Sequence, residues 1–295
     1  MSATIIDGNK TSQDIRNEVA QGVKELQAKH NITPGLAAVL VGDNPASAIY
    51  VRNKERACQE VGMFSEVFKM PQNTTEKALL ALVRKLNRDA RFHGILVQLP
   101  LPSQIEERHV IFALDPEKDV DGLHPVNVGR LVEGEPAFVS CTPAGAQQLL
   151  LRYGYSPEGK HVVVCGRSNI VGKPVSILLM QKAVGANATV TVCHTGTKNL
   201  AEITRTADIL IAAMGRPKAI TADMVKEGVV VIDVGINRVD DPSRKSGFRL
   251  EGDVDFGPVS EKAAAITPVP GGVGPMTIAM LLSNTLKAAQ RKASS

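Results

Sequence analysis

Short, almost wholly apolar runs alternate along this chain with longer amphipathic stretches. "LAAVLVG" (36–42), "SEVFKM" (65–70) and "GILVQLP" (94–100) read as strands, while residues 10–30, 46–61, 75–89 and 105–114 carry apolar positions at helical spacing. A second series begins near residue 143. A helix over 143–153 leads to "KHVVVCG" (160–166), a glycine-bearing turn and a helix to about residue 183. "ATVTVCH" (188–194), "ADILIAAMG" (207–215) and "GVVVIDVG" (228–235) follow, with a helix expected between each and the next. Strands apolar on both faces that alternate with helices predict parallel sheets covered on both sides, so the fold class is α/β. The second series is a complete βαβαβ unit plus a fourth strand, the pattern of a Rossmann-type domain. "RVDDPSRKSGFR" (238–249) reads as a polar loop. A long helix, 275–291, stands outside the alternation, and we expect it to pack back on the first domain.

One helix breaks its own pattern. On a wheel of the stretch 46–61, Ala46, Tyr50, Ala57, Cys58 and Val61 fall within an arc of roughly 120°, and most charged residues lie outside it. Lys54 does not; it projects into the apolar arc beside Tyr50. Either Lys54 snorkels past the edge of the core, or it is a partly desolvated lysine lining a cleft, where burial favours the neutral amine.

The 295 residues suffice for about two domains. With 43% hydrophobic and 22% charged residues the composition is that of a globular protein. A net charge of +4 is too small for a nucleic-acid footprint, and 3% aromatics without Trp argue against base-stacking platforms. No apolar run reaches the length of a membrane span, and "MSATIIDGNK" lacks the pattern of a signal peptide, so we expect a cytoplasmic protein. Cys58, Cys141, Cys165 and Cys193 form no CxxC and read as reduced, buried thiols. The histidines have no HExxH-like spacing, and "KDVDG" (118–122) lacks the remaining oxygen ligands of an EF-hand; no metal site is expected.

"VVVCGRSNIVGKP" (162–174) follows a strand and opens a helix, the setting of a phosphate-binding turn, although Gly166 and Gly172 do not have GxGxxG spacing. The next strand ends in "CHTGTK" (193–198), without the acidic residue that holds a ribose hydroxyl in NAD enzymes. Arg167, with His194, Thr195 and Lys198, suits a 2′-phosphate instead, which favours NADP. Gln98, near the carboxyl end of its strand, faces a ligand or satisfies a neighbouring backbone group; both remain open. Asp119 reads as structural, and Asp121 as a turn-former before Gly122 or a carboxylate aimed into a cleft. "PVPGGVGP" (268–275) is too proline-dense for a flexible linker. It reads as a rigid loop allowing close backbone approach to a ligand, or as a hinge.

Taken together, "YVRNK" (50–54), "GILVQLPLP", "KDVDG", "GRSNIVGKP", "DVGINR" (233–238), "GDVDF" (252–256) and "ITPVPGGVGPMT" (266–277) resemble, in order and across the chain, the bifunctional methylenetetrahydrofolate dehydrogenase/cyclohydrolase family. The resemblance implies a catalytic, folate-binding domain (1–142) completed by the C-terminal helix (275–295), a Rossmann-type NADP domain (143–274), and a cleft between them. It implies oxidation of 5,10-methylenetetrahydrofolate and hydrolysis of the methenyl product to 10-formyltetrahydrofolate. Tyr50, Lys54, Gln98 and Asp121 map onto the catalytic positions, and Gly166, Arg167, Ser168, Thr195 and Ile236 onto the cofactor site. Val97 and Leu99, with Pro270, Gly271 and Gly272, extend the folate-binding set. The family is generally homodimeric. A monofunctional dehydrogenase, a non-catalytic NADP-binding regulator and an NADP dehydrogenase of a small acid are the competing readings.

Overall fold

The computed structural model describes residues 3–244 and 247–294; the side chain of Ala46 lies outside the described residues. The chain divides into two compact units. One comprises Gln13–Val139 and Ile278–Ser295, the other Ser140–Thr277 and the residues up to Ser12.

The chain opens with β1 (Thr4–Ile5) and α1 (Gly8–His30), then β2 (Gly35–Val41), α2 (Pro45–Glu60), β3 (Phe64–Met70), α3 (Glu76–Arg88) and β4 (Gly94–Val97). β2, β3 and β4 form a parallel three-stranded sheet in the order β3-β2-β4. β2 is buried along its whole length, as a central strand covered on both faces must be. Ala37, Val39 and Val41 pack with Leu79, Val83 and Leu86 of α3, and Ala38 and Leu40 with Val51 of α2. α3 presents that face because its apolar residues recur at i, i+4 and i+7. Thr75 caps its first turn, accepting from the Ala78 N–H. Because the chain goes from β2 to β3 on one side and then to β4 on the other, strand order reverses beside β2. That reversal opens a crevice at the carboxyl ends of β2 and β4.

α4 (Glu107–Ala113) and α5 (Pro125–Val132) follow. The sequence reading did not include α5, although Pro125 in its first turn and His124, whose ring accepts from the Val126 N–H, mark its start.

In the second unit α6 (Cys141–Arg152) leads into β5 (His161–Cys165), α7 (Gly172–Met180), β6 (Thr189–Cys193), α8 (Leu200–Thr204), β7 (Ile209–Ala212) and β8 (Val230–Asp233). The antiparallel pair β9 (Asn237–Asp240) and β10 (Phe248–Glu251), then α9 (Phe256–Ser260), β11 (Ala265–Ile266) and α10 (Val273–Ala293), complete the chain. A six-stranded parallel sheet runs β1-β11-β8-β7-β5-β6. Its interior, around Val163, Leu210 and Val231, is closed to solvent. Strand order reverses beside β5, again opening a crevice at the carboxyl ends. β1 pairs Thr4 with Ala265 and Ile5 with Ile266, which places the start of the chain in this unit.

Two sequence expectations fail here. No α-helix joins β7 to β8; the segment holds a single 3-10 turn, Ala222–Met224. Pro217 interrupts it, and the Ile220 backbone is bonded to that of Asp253 and Asp255, which leaves no room for a helical ladder. The polar loop 238–249 is instead largely the ribbon β9–β10, steadied by the Arg238 guanidinium over the Phe248 ring, 3.9 Å from its centroid. Residues 245 and 246 of that loop lie outside the described residues. From the C-terminal helix, Asn284 Nδ2 donates to the carbonyls of Val120 (2.8 Å) and Val139 (3.0 Å), all three residues lying in the first unit.

Candidate functional site

α2 starts cleanly. Pro45 occupies its first turn, and Asn44 Oδ1 accepts from the Ser47 N–H at 3.2 Å. Ser47, Val51, Lys54, Ala57 and Cys58 then form its buried stripe. Lys54 is only 8% exposed, and Nζ donates to Gln98 Oε1 at 3.0 Å. Gln98 follows β4 at the crevice and donates from Nε2 to the Leu99 carbonyl at 2.7 Å, which turns its oxygen toward the lysine. Among the described residues Lys54 has no carboxylate partner. Tyr50 departs from its expected place in the apolar arc: it is 47% exposed. Its hydroxyl end tolerates water, and Val51 takes the inward position. Val97 is the buried last residue of β4 and Leu99 is half-buried.

The "KDVDG" loop is built on Asp119, which is fully buried. Its carboxylate accepts from the N–H groups of Leu123 (3.2 Å) and His124 (2.8 Å) and from Asn127 Nδ2 (2.8 Å). Burial pushes Asp119 up to about 6, against the opposing pull of these bonds. Lys118 Nζ ties the loop to the carbonyls of Leu86 and Asp89. Asp121 is half-buried, and its carboxylate accepts no hydrogen bond among the described residues. It is not bonded to Lys54, Gln98 or Tyr50.

In the second unit Gly166, Arg167, Ser168 and Thr195 share one cavity of about 420 Å³ with His194, Met214 and Arg216. Gly166 has φ 139°, and a Cβ there would overlap the Ala213 carbonyl. Ser168 Oγ accepts from the N–H groups of Val171 (3.2 Å) and Gly172 (3.4 Å) at the start of α7. Two guanidinium residues and no carboxylate line the cavity, a donor set that fits a phosphate-bearing dinucleotide. Lys198 is not among its lining residues. Ile236 is elsewhere. It lines a second cavity, of about 370 Å³, together with Pro270, Gly271, Gly272 and Asp233. There the Gly8 N–H donates to the Gly271 carbonyl at 2.9 Å, docking the start of α1 on the proline–glycine loop.

The sequence reading missed Met214 and Arg216 in the first cavity and Asp233 in the second. The aspartates of "DVGINR" and "GDVDF" were the available signal for the framework behind them, because buried carboxylates need donors. All four cysteines are buried thiols, as expected. Among the described residues no cluster of His, Cys, Asp or Glu could hold a metal ion, and no helix is long and apolar enough to cross a membrane.

A parallel α/β fold, a strand–turn–helix cavity lined by guanidinium groups and a buried lysine–amide pair fit a nucleotide-dependent enzyme. Comparison with known proteins sharpens this. The family model "Tetrahydrofolate dehydrogenase/cyclohydrolase, NAD(P)-binding domain" matches residues 140–293, and the catalytic-domain model of the same family matches residues 6–121. The bifunctional protein FolD of Prosthecochloris aestuarii is 60% identical over 289 residues, covering 97% of this chain and 98% of its own. That of Dehalococcoides mccartyi is 60% identical over 292 residues, covering 99% and 98%. Among solved structures, the Campylobacter jejuni bifunctional FolD enzyme superposes with a TM-score of 0.92 at 49% identity, covering 99% of this chain and 100% of its own. The Trypanosoma brucei methylenetetrahydrofolate dehydrogenase-cyclohydrolase, complexed with NADP cofactor and inhibitor, gives 0.94 at 41% identity and covers both chains fully. The chain belongs to the tetrahydrofolate dehydrogenase/cyclohydrolase family.

Proposed function

We propose that the chain oxidises 5,10-methylenetetrahydrofolate to the 5,10-methenyl cation and hydrolyses that cation to 10-formyltetrahydrofolate. The observation that carries the hydrolytic half is the buried Lys54 bonded to Gln98, with no carboxylate partner among the described residues. Bound NADP⁺ supplies the hydride acceptor for the first step. That step asks the chain for alignment alone, because the product charge is shared by the two nitrogens flanking the carbon. Arg167, Ser168 and Thr195, in a cavity free of acidic lining residues, hold the phosphates and favour NADP over NAD. Ile236 borders the nicotinamide end.

Water adds to the methenyl carbon in the second step, and Lys54 takes or orients the proton. Its partner is a neutral amide, so no ion pair has to break for the amine to engage the water. Gln98 holds the amine in place, and Val97 and Leu99 fix Gln98. Tyr50, exposed one helical turn before Lys54, packs against the folate. Asp121, with free acceptor oxygens, receives the pterin amino and ring N–H donors in a paired geometry. Pro270, Gly271 and Gly272 line a cavity of their own, where a ligand can approach the backbone closely. We assign folate chemistry to a catalytic domain of 1–142 with the helix 275–295 and cofactor binding to an NADP domain of 143–274, except that the opening strand β1 belongs to the sheet of the second unit. A homodimer is supported by β6, a sheet-edge strand on which Val192 is exposed. The buried thiols suit a cytoplasmic setting.

The test supplies 5,10-methylenetetrahydrofolate with NADP⁺ and follows NADPH and the methenyl intermediate by absorbance. NADPH with little methenyl accumulation is expected. Methenyl accumulating in step with NADPH would reduce the protein to a monofunctional dehydrogenase, and no reduction would end the proposal.

A further inference from the structure

Asp253 is fully buried, in the segment "GDVDF" that no step above uses. Its carboxylate accepts four hydrogen bonds: from the N–H groups of Met214, Gly215 (2.9 Å) and Arg216 (2.9 Å), and from Asn237 Nδ2 (2.8 Å). Met214–Arg216 is the stretch leaving β7 at the carboxyl edge of the sheet, and both Met214 and Arg216 line the cavity of the phosphate-binding turn. Asp253 is held in turn by Asp233 at the end of β8. Asp233 Oδ1 accepts from the N–H groups of Asp253 (3.0 Å) and Gly235 (2.9 Å), and Oδ2 from that of Val254 (2.9 Å). Two glycines leave the room this needs. A Cβ at Gly252 would overlap the Asp233 carboxylate, and one at Gly235 that of Asp253.

A carboxylate is the only side chain suited to this place. Four donors converge on two oxygens, and an asparagine would turn its own N–H₂ against some of them. Three of the four bonds end on the consecutive residues Met214–Arg216, and the first and last of these line the cavity. We infer that Asp253 is a positioning residue of the cofactor site: it fixes the Met214–Arg216 backbone, and with it the Arg216 guanidinium, against bound NADP. The inference rests on the proposed reading of that cavity as the NADP site.

The test titrates NADPH, by its own fluorescence, into the full chain and into Asp253→Asn. It also measures hydrolysis of added methenyltetrahydrofolate, which consumes no cofactor. Leaving charged hydrogen-bonding positions mismatched weakens NADPH binding by about 10- to 100-fold. Hydrolysis, centred on Lys54, falls far less. Equal NADPH affinity in the two proteins overturns the inference, and so does a loss of hydrolysis as large as the loss of affinity, which marks a merely structural role. If Asp253→Asn does not fold, Arg216→Gln, at an exposed position, replaces it. Weakened NADPH binding with hydrolysis retained supports the inference, and unchanged binding overturns it. A parent chain that hydrolyses the methenyl substrate but binds no NADPH removes the proposed cofactor and the inference together.

Discussion

Lys54 illustrates how a single side chain reports a site. Desolvation of a lysine on a buried helix stripe has to be offset by a hydrogen bond or a charge, and here Gln98, at the carboxyl end of β4, accepts from it. Gln98→Leu keeps the volume and removes the acceptor. Hydrogen bonds to charged groups contribute on the order of 1.5–3 kcal/mol, so we expect hydrolysis to fall by about tenfold or more with NADPH formation largely kept. Steady-state rates of both steps on the variant check this. Arg167→Gln acts on the other half: the KM for NADP⁺ is expected to rise about tenfold or more while that for NAD⁺ changes little, since only the former carries the extra phosphate. Equal effects on both cofactors would contradict the assignment. At this scale the sequence was informative where a residue violated its own pattern, as Lys54 does on its helix, where it is buried. It was silent on Arg216 and Met214, which reach the cavity only through the sheet's strand order, and it misplaced Tyr50, because an aromatic ring satisfies the wheel whether it points in or out.

Among the elements, the loop over 118–122 and α5 depend on one buried carboxylate. Burial holds Asp119 at about 6, above the 3.8 it has when exposed. The folded state therefore takes up the proton before the unfolded chain does, so this group favours folding below pH 4 and loses that contribution as pH rises through about 6. The window spans about two pKa units, on the order of 3 kcal/mol. Asp119→Asn cannot titrate, so the parent's thermal midpoint, measured relative to the variant's, is expected to decline between pH 4 and pH 6 and level off above. A gap constant across that range would mean that Asp119 is ionised in the fold throughout. The elements with strong apolar periodicity, β2, β4, α3 and the strands of the second sheet, were legible because burial on a fixed face leaves a repeat in the chain. The short ones were not. The ribbon β9–β10 is made by cross-strand charge and ring contacts that look like a polar loop in one dimension, and the expected helix before β8 is undone by long-range backbone bonds to residues 253–255.

For the molecule as a whole, the lysine–glutamine pair belongs to one compact unit and the proposed cofactor cavity around Gly166–Ser168 to the other. The base assigned to hydrolysis and the residues assigned to cofactor binding therefore lie in different units and should be separable by mutation. The proposed homodimer predicts a solution mass of two chains in sedimentation; a single-chain mass at working concentration would remove it. The most direct test of the account gives Lys54→Gln the methylene substrate and NADP⁺, and follows NADPH and the methenyl cation together. Loss of a positioned base costs about 100-fold or more, so NADPH should still form while the methenyl cation accumulates beside it. A variant that forms NADPH and clears the methenyl cation as fast as the parent would show that Lys54 is not the residue on which hydrolysis depends.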